Sequence, residues 1–146
     1  MVDRGQIAKP GNYISLNDYD GLDSHQLPNQ SIDLVSNYIG FHHAAPEKRD
    51  HFIQSITNSL KPGGKLLLRD HDAVSEDLRY IIALAHDVFN AGIDVSWEKN
   101  MAEIRNFVSV AEIEDRLSRL GFHREGPLLL QDGDPTHNTL MVFAKA

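Results

Sequence analysis

Apolar and polar positions alternate along the chain in a way that predicts five short strands and three longer helices. The first strand is expected at Tyr13-Ile14-Ser15-Leu16 and the second over residues 32–39, from Ile32 to Ile39. The second alternates only in part, as suits a strand covered on both faces. Ala45-Pro46-Glu47 opens the first helix. Proline is tolerated where its missing N–H would have no partner, and the acid meets the positive end of the helix dipole. Phe52, Ile53, Ile56 and Leu60 recur at helical spacing, Pro62-Gly63-Gly64 stops the run, and the third strand follows over residues 65–69. Ser75 is the expected cap of the second helix, whose buried stripe reads Leu78, Ile81, Ile82, Ala85, Val88 and Phe89 before Gly92 ends it. Ser109 and Glu112 have the spacing of a capping box for the third helix, which presents Val110, Ile113, Leu117 and Leu120 and stops at Gly121. Two last strands, over residues 127–130 and 139–143, are joined by a link too short for a parallel crossover of roughly a dozen residues, so they form an antiparallel pair. The fold class is α/β, with a mostly parallel sheet ending in an antiparallel hairpin.

Composition narrows the class of molecule. The length of 146 residues predicts a single domain, 1–146. A content of 41% hydrophobic and 24% charged residues excludes a disordered or fibrous chain. A formal net charge of -7 disfavours nucleic acid as a partner held by bulk charge. No cysteine is present, which removes disulfides, thiol nucleophiles and cysteine zinc sites, and fits a reducing compartment. The opening stretch from Met1 to Tyr13 is polar and lacks a signal-peptide core, and no apolar run approaches the roughly 20 residues that span a bilayer. A soluble, cytoplasmic protein with no membrane partner is expected.

Local motifs carry a family resemblance. Leu27-Pro28, then Ile32-Asp33-Leu34-Val35, then Phe41-His42-His43, then Leu60-Lys61-Pro62-Gly63-Gly64-Lys65-Leu66-Leu67-Leu68 occur in order. This set resembles the C-terminal half of a class I S-adenosylmethionine-dependent methyltransferase of the type 11 kind. The resemblance implies a partial Rossmann-like methyltransferase sheet, S-adenosylmethionine as cofactor and a small-molecule methyl acceptor. The family's cofactor loop is a glycine-rich turn after its first strand, yet no G-x-G occurs in any frame here. The chain therefore reads as a truncated methyltransferase-like domain.

The resemblance also assigns site residues. Asp23 stands where the family often accepts a hydrogen bond from the adenine amino group, and Ser24 can offer its backbone; a turn or capping aspartate is the plainer reading. Asn37 and Tyr38, with Ser36, end the second strand, where open α/β sheets bind ligands. His42 and His43 match the family's histidine pair, which mostly shapes the loop there. His42, with Asp70 and His71 from the polar run Arg69-Asp70-His71-Asp72, forms the candidate catalytic set for touching or deprotonating an acceptor. Methyl transfer to a nucleophilic acceptor is chiefly a matter of in-line placement. No metal is assigned: Asp132, Asp134 and His137 read as an exposed turn, and a hydrolase on Asp70, His71 and Asp72 explains only that cluster. Trp97 reads as core. A non-catalytic alternative follows from the missing first strand, because an apolar strand over 32–39 with an open edge would pair with a second copy or a complementary chain.

Overall fold

The computed structural model describes residues 11–146. The polar stretch before Gly11, read above as lacking a signal core, lies outside the described residues. Among the described residues the elements run β1 (Ile32–Tyr38), α1 (Pro46–Ser59), β2 (Leu60–His71), α2 (Glu76–Gly92), α3 (Trp97–Ala102), α4 (Val110–Arg119), β3 (Phe122–Leu130) and β4 (Asn138–Lys145), with a 3₁₀ turn at Phe41–His43. No helix among them is long and apolar enough to cross a membrane.

The strands form one sheet in the order β1-β2-β4-β3. β1 runs parallel to β2, while β4 is antiparallel to both β2 and β3. The α/β class and the closing antiparallel hairpin are as the sequence predicts. The expected predominance of parallel pairing is not: one ladder is parallel and two are antiparallel. The strand expected at Tyr13–Leu16 does not form, and a turn with positive φ at Asn17, Asp18 and Tyr19 follows it. α3 is a short helix that the apolar pattern did not announce. Ser96 caps it, its side chain accepting a hydrogen bond from the Lys99 amide.

Side-chain alternation divides the sheet into two faces. Leu66 and Leu68 of β2 stand opposite Phe143 and Met141 of β4, and Val35 of β1 lies beside Leu66. With Ile53 and Ile56 of α1 and Ile113 and Leu117 of α4 they make the main core. The other face is open: Leu34, Tyr38 and Leu129 are each more than half exposed. α2 packs on a satellite core of Ala73, Leu78, Ile82 and Phe107. Of its expected stripe only Leu78 and Ile82 are buried, whereas Ile81, Val88 and Phe89 are exposed. Trp97, expected in the core, is 67% exposed.

The Lys61-Pro62-Gly63-Gly64 turn lies within β2 rather than before it, since α1 ends at Ser59. Gly63 takes φ +72°, and a Cβ on Gly64 would come 2.9 Å from the Lys61 carbonyl oxygen. Only glycine fits both demands without a shift of the backbone. The capping box of α4 forms as its spacing predicts, with Ser109 and Glu112 bonded reciprocally. Asp72 adds to that helix end, its Oδ1 accepting from the Val110 amide at 2.8 Å.

Candidate functional site

Parallel β1 and β2 end at Tyr38 and His71, and antiparallel β4 begins beside them, with Asn138 paired to His71. Three strand ends therefore meet at one rim of the sheet, the position where open α/β sheets hold ligands. Ile39 leaves β1 at φ +50°, an uncommon conformation for a β-branched residue. Its amide donates to the Arg69 carbonyl at 2.7 Å, and the Tyr19 hydroxyl donates to the Gly40 carbonyl at 2.7 Å. This pinned exit delivers the 3₁₀ turn with His42 and His43 onto the rim. α2 passes above it and contributes His86, and the segment before α4 contributes Phe107.

Asp70 is the hub. It is buried, yet its Oδ1 lies 2.6 Å from His42 Nδ1 and accepts from the His71 amide at 2.9 Å, while Oδ2 accepts from the His42 amide at 3.2 Å. Burial alone would raise its carboxyl pKa, but the His42 bond and the neighbouring imidazoles outweigh that and hold it below the ordinary range. The imidazoles are crowded. The rings of His42 and His43 are 4.3 Å apart between centroids, and those of His42 and His86 4.8 Å apart. Phe107 lies 4.9 Å from His42, 5.6 Å from His71 and 5.2 Å from His86. Burial, and then the neighbouring imidazoles, push His86 down to about 4. His43 and His71 are lowered as well, by burial first. The shifts favour the neutral form of all three rings.

A cavity of about 520 Å³ opens on this cluster, lined among others by Ile39, His43, His71, His86, Phe89 and Asp134. Its size suits a small organic molecule. Asp134 is held in shape by accepting from the Thr136 amide and hydroxyl and from the Asn138 amide group.

The expected site residues divide between this rim and other places. His42, Asp70 and His71 converge on the rim. Asn37 and Tyr38 alternate to opposite faces, with Asn37 near Gly40 and Tyr38 on the open face, so they do not act on one ligand surface together. Asp23 is exposed and its Oδ1 accepts from the His25 amide within its own turn. Ser24 lines a separate small hollow against α1 with His51 and Ser55. His86 and Phe107 were missed. The signal for His86 was present, since Leu78, Ile82, His86 and Asn90 follow one another at four-residue intervals on the inward side of α2.

Residues 1–68 match the family model described as a methyltransferase domain. Solved structures agree at low identity. The Burkholderia thailandensis 1,6-didemethyltoxoflavin-N1-methyltransferase, with bound 1,6-didemethyltoxoflavin and S-adenosylhomocysteine, is 12% identical over 88% of this chain and 48% of its own, with a TM-score of 0.59. An enzyme of a pericyclic reaction is 12% identical over 99% of this chain and 33% of its own, at 0.63. A Haloferax volcanii complex of the Trm112 methyltransferase activator with a methyltransferase-type chain gives 18% identity over 88% of this chain and 58% of that one, at 0.59. This is a class I methyltransferase fold. No curated protein matches the sequence. The methyltransferase-fold domain spans between 33% and 58% of the length of these three structures. The strand order β1-β2-β4-β3 supplies the rim where the cavity lies, but the residues carried over for the cofactor, Asp23, Ser24, Asn37 and Tyr38, do not converge on it.

Proposed function

We propose that this domain is an S-adenosylmethionine-dependent methyltransferase, or a fragment of one, acting on a small molecule. The observation that supports this most directly is the cavity at the strand ends, lined by His43, His71 and His86, with buried Asp70 bonded to the His71 amide behind it, in a sheet whose fold matches solved methyltransferases. In this reading His42, Asp70 and His71 orient or deprotonate the acceptor, while Asp23, Ser24, Asn37 and Tyr38 are the candidates for cofactor contact. The absence of cysteine supports a reducing, cytoplasmic setting. Calorimetry with S-adenosylhomocysteine tests it. Binding heat and a raised melting temperature are expected, and neither at millimolar ligand would sink the reading for this chain.

A second reading has its own observation. Among the described residues β1 pairs only with β2, so its other edge is free, and Leu34 and Tyr38 of the same strand are more than half exposed. An open edge of this kind favours pairing with a second copy or with a complementary chain. Light scattering at high protein concentration discriminates. A dimer mass that Leu34→Lys converts to a monomer is expected, and a strictly monomeric wild type counts against assembly by this edge.

A further inference from the structure

Three imidazoles around the rim have their outer nitrogen committed. His42 Nδ1 faces Asp70 Oδ1 at 2.6 Å, and His43 Nδ1 faces the Ile104 carbonyl oxygen at 2.9 Å. An oxygen acceptor favours the proton on the nitrogen it faces, which in a neutral ring leaves the lone pair on Nε2. His86 Nε2 lies 3.3 Å from His71 Nε2, and His71 Nδ1 faces the Thr136 carbonyl oxygen at 3.2 Å. His71 thus carries its proton on Nδ1 and accepts from His86, which leaves the other His86 nitrogen free.

His42 makes the arrangement conspicuous. The residue is 2% exposed, and its Nε2 is buried without a hydrogen-bond partner among the described residues. Buried polar atoms are nearly always partnered, and an orphan of this kind calls for a water, a ligand or an ion. One ring nitrogen from each of His42, His43 and His86 lies within 4.8 Å of the others. Ligating histidines characteristically donate their outer N–H to a carboxylate, a carbonyl or another fixed acceptor, and each of these three rings has such a group facing one nitrogen.

We propose that His42, His43 and His86 form a three-imidazole site for a borderline transition-metal ion of the zinc type. Asp70, Ile104 and His71 face the other nitrogens of the three rings, and His43 and His86 also line the neighbouring cavity. Three neutral nitrogen donors with no thiolate or carboxylate in the first set favour zinc, cobalt or nickel over magnesium or calcium. A modest contraction of the nitrogens onto the ion brings them to bonding distances of about 2.0–2.1 Å. An ion there would present a water or an acceptor oxygen to the cavity. The site does not depend on whether the chain binds S-adenosylmethionine.

Cobalt titration of the chelator-treated full chain tests it, without cofactor or acceptor. Saturation at one equivalent is expected, with the intense visible bands of a four-coordinate ion. His43→Ala and His86→Ala should each weaken affinity at least 10-fold, while His25→Ala, in an exposed turn, should leave it unchanged. Both rings of the first two variants are only half buried, and far-ultraviolet circular dichroism reports whether the fold persists. If either variant unfolds, imidazole nitrogen spectra of the wild type with zinc decide: shifts confined to His42, His43, His86 and His71 are expected. No binding near one equivalent, or binding that neither variant weakens, or zinc shifts at other histidines instead, would overturn the proposal.

Discussion

Burial first, and then neighbouring imidazoles, disfavour the charged forms of His43, His71 and His86, so the folded state binds fewer protons there than the unfolded chain would. An unfolded histidine titrates near 6.5, whereas His86 is pushed down to about 4 and His43 and His71 are lowered in the same direction. Between those values the unfolded chain binds more protons than the native one. Stability is therefore complete above about pH 6.5 and falls as pH drops toward the native value. Thermal melts of the metal-free protein should show the melting temperature declining from pH 7 to pH 5, and the decline should be shallower in His86→Ala. Equal slopes would contradict this. Asp70→Asn removes the charged acceptor beneath His42, and urea denaturation should show a loss of about 2 kcal/mol. Asp70 and His71 were legible as site residues because polar residues at a strand end are unusual. Their burial was not legible, since it depends on the 3₁₀ turn and on Phe107, both remote in sequence. His43 was read as shaping its loop, but its ring also faces His86 across a helix whose docking the local pattern does not fix.

Helix ends were the most legible elements, because capping is decided by residues within one turn. Ser75 and Ser109 both cap as expected, by accepting from Leu78 and Glu112. Ser109→Ala should cost about 1 kcal/mol by chemical denaturation, and an unchanged midpoint would show that Asp72 carries the helix end alone. Extent was less legible than existence. The third predicted strand ends at Arg69, but β2 continues to His71 because β4 pairs with it from Lys65 to His71. Tyr13–Leu16 has the strand composition and forms none, for a strand needs a neighbour that composition cannot supply. The α2 stripe failed for a related reason. Its apolar residues wrap more of the helix than the satellite core covers.

Apolar surface remains uncovered on two sides of the whole molecule. Tyr80, Leu84, Val88 and Phe89 of α2 and Trp97 and Met101 of α3 are exposed, as are Leu34 and Tyr38 on the sheet. Trp97 is the sole tryptophan, which makes it a reporter. In the isolated chain its fluorescence should be red-shifted and freely quenched by acrylamide; a blue-shifted, protected signal would mean that this side is covered in solution. Patches of such breadth are uncommon on self-sufficient domains. The α/β class was readable from the alternation of elements, whereas the open faces were not, because periodicity says which side of an element is apolar and never what lies against it.

β4, latest of the strands in sequence, lies between β2 and β3 and is bonded to both. During synthesis on a ribosome, β1, β2 and β3 emerge first and cannot join into one sheet. The sheet closes only after Lys145 has cleared the exit tunnel, so until then the nascent chain exposes the unpaired side of β2. Such late, long-range closure favours slow assembly, and makes the newborn chain more dependent on chaperones than the finished sheet would suggest.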